Sequence, residues 1–582
     1  MSTFKLQLIN SDLNVRRGLI ALFVVHIGLV SYSAVCHSPT QDEIAHLPAG
    51  ISILKFGDFS VYRVNPPLVR LVAAIPVLLV EHEEDWSSYN EVSAIRQEWA
   101  LGRNFVMANG ENSIRLFTMA RLVCLPFSLL GMWVCYRWSR DLFSPQAGLF
   151  AAGMWCFSPN IIGHGSLITP DIAAVSMGLL AAWRFSLWVE SSSLSTLFLA
   201  GLSLGLALLT KSYWITLLVL WPIMWFLIFL NNRKNRSLRN ETSQLCGILL
   251  LALNVLNMGY LFSGSGTLLK DFQFYSSALS GELRIPGENL PANRFSESWL
   301  GEIPVPLPKD FVTGIDLQKV DFEQGKWSYF YGEVKDPGGW WQYYLVGLFL
   351  KVPLGTWALF LMGLLAIRDH KLRSSAVKLI PLLLPVLLLL VIASSETKMN
   401  RHVRYVFPAL PAIYLIGAMS VERWRRLSWA MLACTAASSL AVYPHSLAYF
   451  NESIGGPNQG HRYLIDSNLD WGQDLLAVRD WLQRHPEERP AFVGWGGDIS
   501  LRSLGVEADL VSSSSLKPGL YLISRSERYH PSNRLKIFEN KEPIDQIGYT
   551  FDVYRIEREV QNLTPDQSQN RLKEEHKKTL KH

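Results

Sequence analysis

Apolar runs of about 20 residues, the length an α-helix needs to cross a bilayer, recur along most of the chain. The first extends from about Gly18 to Cys36, behind Arg16 and Arg17, and others begin around residues 116, 147, 170, 194, 213, 245, 343, 377, 403 and 427. The pattern predicts eleven spans. No small-x-small cleavage site follows the first run and many more runs succeed it, so it is read as a retained span, not a signal peptide. With the N-terminus inside, four of the five inner loops are basic. They carry Arg137 and Arg140, then Arg233, Lys234, Arg236 and Arg239, then Arg368, Lys371, Arg373 and Lys378, then Arg423, Arg425 and Arg426. Such an excess marks the cytoplasmic side, which puts residues 38–112, 264–342 and everything after 446 outside.

Shorter patterns fill in the connections. Within the first outer loop, Pro66–Val80 is apolar but short and follows a Pro-Pro, as suits a helix along the membrane surface. Gly201 and Gly205 are four apart, a spacing that lets two helices approach closely. The segment 327–344 holds eight aromatic residues, Trp327 and Tyr344 at its ends. An interfacial belt accounts for them best, with a sugar-binding platform as the alternative. From about 447 the pattern becomes that of a soluble module. Gln473–Arg484 reads as an amphipathic helix, and Ala491–Trp495, Gly519–Ser524 and Phe551–Ile556 read as strands. The fold class expected is therefore an all-α polytopic membrane protein of about eleven transmembrane helices, with a surface helix in its first outer loop. A small C-terminal exterior α/β domain completes it. The expected domains are 1–446, membrane-embedded; 447–557, exterior; and 558–582, a disordered charged tail rich in Glu, Lys, Gln and Asn.

Composition agrees with this picture. Of 582 residues 49% are hydrophobic and 18% charged, a balance expected of a polytopic membrane protein. Twenty Trp and twenty Tyr fit interfacial belts. A net charge of +5 implies no nucleic-acid partner. The six cysteines form no C-x-x-C pair, so neither a disulfide framework nor a cysteine zinc site is supported.

Candidate chemistry comes from charges that oppose the membrane's preferences. Asp42 and Glu43 lie just past the first span; they read either as a helix start or as catalytic carboxylates facing a membrane-bound substrate. The outer loop around residues 396–405 carries Lys398, Arg401 and Arg404 against the positive-inside bias. Their guanidinium groups match phosphate oxygens, with lipid headgroups as the alternative partner. Lys211 sits at an outer turn, where it either snorkels or helps hold the same phosphate. Thr169-Pro170-Asp171 opens a span, so Asp171 either caps that helix or completes a carboxylate site. Two outer loops thus offer carboxylates and two offer cations, the inventory for transferring a group away from a phosphate: a carboxylate takes the proton of an attacking hydroxyl, and cations hold the departing phosphate. No Walker loop or G-x-G-x-x-G appears, which points away from a soluble nucleotide donor.

These pieces resemble the phospholipid-carrier-dependent glycosyltransferases of GT-C fold, especially the family-39 protein O-mannosyltransferases and the lipid A aminoarabinose transferases. The matching residues are Asp42-Glu43, Asn65-Pro66-Pro67-Leu68, the His164–Asp171 loop, Leu208–Lys211 and Arg401–Tyr405. Gly338–Tyr344 and Lys351-Val352-Pro353-Leu354-Gly355 belong to the same series, which covers residues 15–445. The resemblance implies inverting transfer of a sugar from a polyprenyl phosphate to an acceptor hydroxyl or amine on the outer face. Asp42 would be the base, Glu43 and Asp171 would orient it or the acceptor, and Lys211, Arg401 and Arg404 would bind the phosphate. His46, Asn65, His164, His402 and Tyr405 are candidate cavity or acceptor residues. Asn65 departs from the family, whose members carry Lys or His before the Pro-Pro, so this position supplies no cation and acceptor class is not carried over. The expected partners are the lipid-linked sugar, a lipid, glycan or protein acceptor, and membrane lipids, with a bacterial inner membrane as the location. No cofactor is called for, and a divalent metal is compatible but unindicated: His46, His164 and His402 lack H-E-x-x-H spacing. The rival reading is a transporter or flippase. It would place ionisable residues at span centres and show two repeated halves, whereas these charges lie mainly at outer ends. Arg121 and Arg184, inside apolar runs, find no explanation in the sequence.

The Asp466–Asp474 run begins D-x-N-x-D, but Trp471 stands where a calcium loop needs Gly and Ala477 where it needs Glu. It reads as a turn with Asp470 near a helix start.

Overall fold

A computed structural model describes residues 2–90, 96–231, 237–488, 490–511, 515–531, 535–539 and 541–561, with side chains placed from Leu13 onward. Of the tail expected over 558–582, Val560–Gln561 instead pair antiparallel with Ser515–Leu516, while residues 562–582 and the inner-loop cations Arg233, Lys234 and Arg236 lie outside the described residues.

Six described helices are long and apolar enough to cross a membrane: Leu13–Cys36, Asn112–Leu142, Asp171–Glu190, Ser212–Asn231, Leu238–Gly259 and His370–Ser395. A seventh span is counted if Tyr343–Lys351 and Leu354–Ala366, bent by 109°, cross as one. The bend falls at Val352-Pro353, where the proline has no N–H to continue the helix and pushes the residue before it into an extended conformation. The chain is thus a multi-pass integral membrane protein, and among the described residues the expected count of eleven is not confirmed. The remaining apolar runs form helices of 12 residues (Pro145–Cys156), 15 (Leu194–Leu208) and 10 (Ala409–Ala418), short of the roughly 20 a bilayer needs. Another, Arg425–Val442, opens on two arginines and carries Thr435, Ser438 and Ser439. Lipid is the natural partner for the apolar side chains left exposed on the long helices, such as Val24, Leu227, Leu250 and Leu387.

The close approach expected at Gly201 and Gly205 occurs against Leu238–Gly259. A Cβ on Gly205 would stand 2.5 Å from that of Val255, and one on Gly201 would stand 3.0 Å from the Ile248 carbonyl oxygen. The short helix expected after Pro66-Pro67 spans Leu68–Leu78 and buries Val69, Ala73, Ala74 and Val77 against the helix Gln41–Phe56 and the start of Asn112–Leu142. Among the aromatics of 327–344, Tyr329, Phe330, Tyr343 and Tyr344 are buried within the protein, while Trp341 is exposed.

The C-terminal region holds a small five-stranded sheet in the order Asp509–Leu510, Ala491–Gly494, Gly519–Ser524, Phe551–Ile556, Asp545–Ile547. Its first three strands run parallel and the last two pairings are antiparallel. The three strands expected from sequence are its centre, because residues such as Val493, Leu522 and Val553 are buried. The helix Leu475–Arg484 packs Leu475, Leu476, Val478, Trp481 and Leu482 into one core with Ile44, Leu47, Val69 and Phe117. The C-terminal sheet and the first connecting loop therefore share a hydrophobic core.

Candidate active site

The site is a cavity of about 90 Å³ at one end of the helical bundle. Asp42, His46, Asn65, Asp171, Lys211, Arg401, His402, Arg404 and Tyr405 all line it, so five separate stretches of sequence meet there. Each is placed by local rules. Asp42 lies in the first turn of Gln41–Phe56, and Asp171 opens Asp171–Glu190 directly after Pro170. Lys211 precedes the single-turn helix that starts the next span.

Arg404 is the hub. Its Nη2 donates to Asp42 Oδ2 at 2.8 Å, its Nη1 stands 3.9 Å from Asp171 Oδ2, and its guanidinium lies 3.9 Å from the ring centre of Trp471. Lys211 Nζ is 3.5 Å from Asp171 Oδ1. Burial alone would lower the Arg404 value, but Asp42 and Asp171 raise it above its usual range, so the group keeps its charge. Lys211 shifts the other way: burial lowers it and Asp171 offsets only part of this. Arg404 Nε and Nη1 and Arg401 Nε are buried without a hydrogen-bond partner among the described residues. Unsatisfied guanidinium donors inside a cavity are costly unless a ligand takes them, and their fork geometry suits a phosphate.

Burial drives the His46 and His402 imidazoles well below their usual values, leaving them neutral hydrogen-bonding groups. His46 packs on the Tyr62 ring at 4.8 Å, and His402 Nδ1 is 2.7 Å from Ser467 Oγ. Tyr405 lies across the Lys211 ammonium at 6.0 Å. The side-chain amide of Asn65 donates to Tyr62 Oη, while its backbone carbonyl accepts from Arg70, a fully buried arginine. Asn65 therefore brings no cation of its own, but Arg70 stands directly behind it.

Two expected site residues do not line the cavity. Glu43 is fully buried behind Asp42, where Arg121 Nε and Nη2 donate to its two oxygens at 2.9 and 2.5 Å. Thr40 N, Thr40 Oγ1 and Ile168 N also donate to it. Arg121, inexplicable from sequence, further donates to the carbonyls of Ala34, His37 and Ser38. The pair thus divides the two readings of the acidic loop: Glu43 fastens the helix start and Asp42 faces the cavity. His164 is also buried outside the cavity lining, against Phe407 and Trp471. Arg184 lies over the Trp183 ring at 4.2 Å, half out of the protein.

Sequence reasoning missed Arg96, Asp321, Lys326, Tyr62 and Trp99, which line the same cavity. Arg96 donates to Glu98 and Asp321, bridging the first loop to the helix Lys309–Gln324. The larger omission is the Asp466–Asp474 run. Asp466 pairs with Arg401, Ser467 bonds His402, and Asn468 accepts from Val403 N while donating to the Arg401 carbonyl. On its other side, Gln41 N donates to the Trp471 carbonyl and Ser38 N to that of Gln473. Lys351 supports the run from below, its buried ammonium donating to the carbonyls of Leu447 and Asn468. This strut holds the arginine loop and the acidic loop in one register and lays Trp471 on Arg404. Against the cost of burial, the Arg401 guanidinium and the Ser467 backbone N–H hold the Asp466 carboxyl down at about 2.

Asp470 is the strained member of the strut. Burial raises its carboxyl to about 7, against hydrogen bonds from Ser524 Oγ and Gly472 N. Below pH ~4 the carboxyl is protonated folded and unfolded alike, and its contribution to stability is fully present. That contribution is lost as pH rises to 7, because the unfolded chain ionises first. Asp470→Asn should therefore match wild type in thermal midpoint near pH 4.5 and exceed it increasingly up to pH 8, each tenfold change in proton affinity being worth about 1.4 kcal/mol. A midpoint difference that does not change with pH would contradict this account.

Residues 111–259 match the family described as dolichyl-phosphate-mannose-protein mannosyltransferase. The matched stretch, about a quarter of the chain, is what is similar to that family. No curated protein matches the chain by sequence. Among solved structures, ArnT from Cupriavidus metallidurans bound to undecaprenyl phosphate aligns at 12% identity and a TM-score of 0.47, covering 94% of this chain and 98% of that one. The apo oligosaccharyltransferase of Archaeoglobus fulgidus aligns at 14% identity and 0.43, covering 85% of this chain and 64% of its own.

Proposed function

We propose that the chain is a membrane glycosyltransferase that moves a sugar from a polyprenyl-phosphate donor to an acceptor hydroxyl or amine, with inversion at the anomeric carbon. The observation that carries the reading is Arg404, a cavity-lining residue that bonds Asp42, approaches Asp171 and has two buried nitrogens, Nε and Nη1, without a hydrogen-bond partner. In this scheme Asp42 takes the proton of the attacking group as the new bond forms at the anomeric carbon. The bond from that carbon to the phosphate oxygen breaks, and its electron pair leaves with the polyprenyl phosphate. Arg404, Arg401 and Lys211 hold the charge that develops there, and Asp171 keeps Lys211 and Arg404 in position. The matched family is described by a dolichyl-phosphate-mannose donor, itself a polyprenyl-phosphate sugar. The basic loops read from sequence favour a cytoplasmic N-terminus with the cavity on the exterior face, in a bacterial inner membrane. Glu43 orients Asp42 through the helix start it fastens, and His164 does the same for Trp471 by packing on its ring.

Purified protein given radiolabelled polyprenyl-phosphate sugars and a panel of lipid, glycan and peptide acceptors should release polyprenyl phosphate and label one acceptor class. Arg404→Ala should lower transfer by at least about 10²-fold, the usual scale for removing a group that stabilises transition-state charge. Failure of every such donor to turn over would overturn the proposal.

A further inference from the structure

Outside the cavity, a second cluster of ligating side chains lies where three parts of the fold meet. His37 follows the end of the first spanning helix, His445 sits in the turn after Arg425–Val442, and Asp474 precedes the helix Leu475–Arg484. One ligand atom from each lies within 4.8 Å of the other two.

The hydrogen bonding of His37 decides what the cluster can hold. Its Nδ1 is 2.9 Å from the Ser33 carbonyl oxygen, which can only accept, so Nδ1 carries the proton. In the neutral ring Nε2 is then a bare lone pair. That atom is buried, has no hydrogen-bond partner, and points at Asp474 Oδ1 from 3.8 Å. Two acceptors facing each other inside a protein repel unless a positive centre lies between them. His445 Nδ1 stands 3.0 Å from the same Oδ1. Thr550 Oγ1 donates to the other oxygen, Oδ2, at 2.8 Å, fixing the carboxylate so that Oδ1 faces the two imidazoles. The Ser33 carbonyl and the Thr550 hydroxyl are outer partners of the kind that orient metal ligands.

We propose that His37 Nε2, His445 Nδ1 and Asp474 Oδ1 form a binding site for a divalent cation of the zinc class. Two imidazoles and one carboxylate suit zinc and its borderline neighbours, whereas calcium and magnesium prefer all-oxygen sites. His445 is about a quarter exposed, which leaves a water-accessible fourth position. The ion would tie the first spanning helix to the C-terminal sheet region three residues from Trp471, the residue stacked on Arg404. It is a clamp on the strut, separate from the cavity.

Full-length protein, stripped with EDTA, loaded with zinc chloride and desalted, should retain one zinc per chain by mass spectrometry of the metal. Cobalt loading should give the strong visible absorption of a four-coordinate N/O site, and zinc, but not magnesium, should raise the thermal midpoint. His37→Gln and His445→Gln should each lose the metal and the zinc-dependent midpoint shift. Wild-type protein that keeps no zinc and gives no cobalt spectrum overturns the proposal, whatever the variants do, and shows that a proton alone bridges the cluster. Variants that fold and hold as much zinc as wild type overturn it equally.

Discussion

Asp42→Asn should cut transfer by orders of magnitude while leaving the protein folded and able to bind donor. Asp42 is the carboxylate that lines the cavity from the first loop, a fifth of its side chain exposed, with one oxygen held by Arg404 at 2.8 Å. Asparagine keeps an oxygen for Arg404 to donate to but takes up no proton. General-base catalysis is typically worth 10²–10⁴-fold, so kcat should fall by about 10³-fold. The fold should hold, because the buried bonds at this helix start belong to Glu43 and Arg121 rather than to Asp42. The KM for a labelled polyprenyl-phosphate sugar should change little, since Arg404 and Arg401 keep their free donors. A variant that transfers within tenfold of wild type would remove Asp42 from the role of base, and one that loses donor binding instead would make it a phosphate-site residue. Asp171→Asn should separate from it: with Lys211 and Arg404 less well held, KM should rise along with the fall in kcat.

Much of this cavity could be read from the sequence because its residues violate membrane preferences. Cations such as Arg401, Arg404 and Lys211 beside apolar runs, and carboxylates at span ends, stand out without knowledge of any partner. Residues in ordinary surroundings did not stand out. Arg96, Asp321 and Lys326 lie in long polar segments, where a charge is unremarkable until Arg96 is seen to bridge to Asp321, 225 residues away. The Asp466–Asp474 run was visible as a pattern, but its function is to join residues 38–41 to 401–404, and no local rule reports a contact across 434 residues such as Ser38 Oγ to the Gly472 carbonyl. The three strands of the C-terminal region were legible as short apolar runs, since they are buried almost throughout, and the helix from its one apolar face. The span count was not, because an apolar run lining a protein core and one facing lipid share a composition and differ in length and neighbours.

The largest effect on folding is expected at Arg121, which no local sequence signal explains. Arg121 and Glu43 are both about fully buried, and the guanidinium also caps three carbonyls at the end of the first spanning helix. Removing one member of a buried ion pair leaves an uncompensated charge and typically costs 3–5 kcal/mol, whereas replacing both is far milder. Arg121→Met should therefore lower the thermal midpoint of the detergent-purified protein sharply and cut its yield, with Glu43 stranded among Thr40, Ile168 and apolar neighbours. Glu43→Gln should be less severe, because the amide oxygen still accepts from Thr40 or Ile168. The double variant Glu43→Gln/Arg121→Met should melt above Arg121→Met alone, an inversion that a purely additive loss of contacts does not produce. Should Arg121→Met melt with wild type, the pair would carry no structural weight and Glu43 would again be available to the chemistry. The expected order instead separates the two carboxylates of the first loop: loss of the Glu43 pair is read in the melt, and loss of Asp42 in the rate.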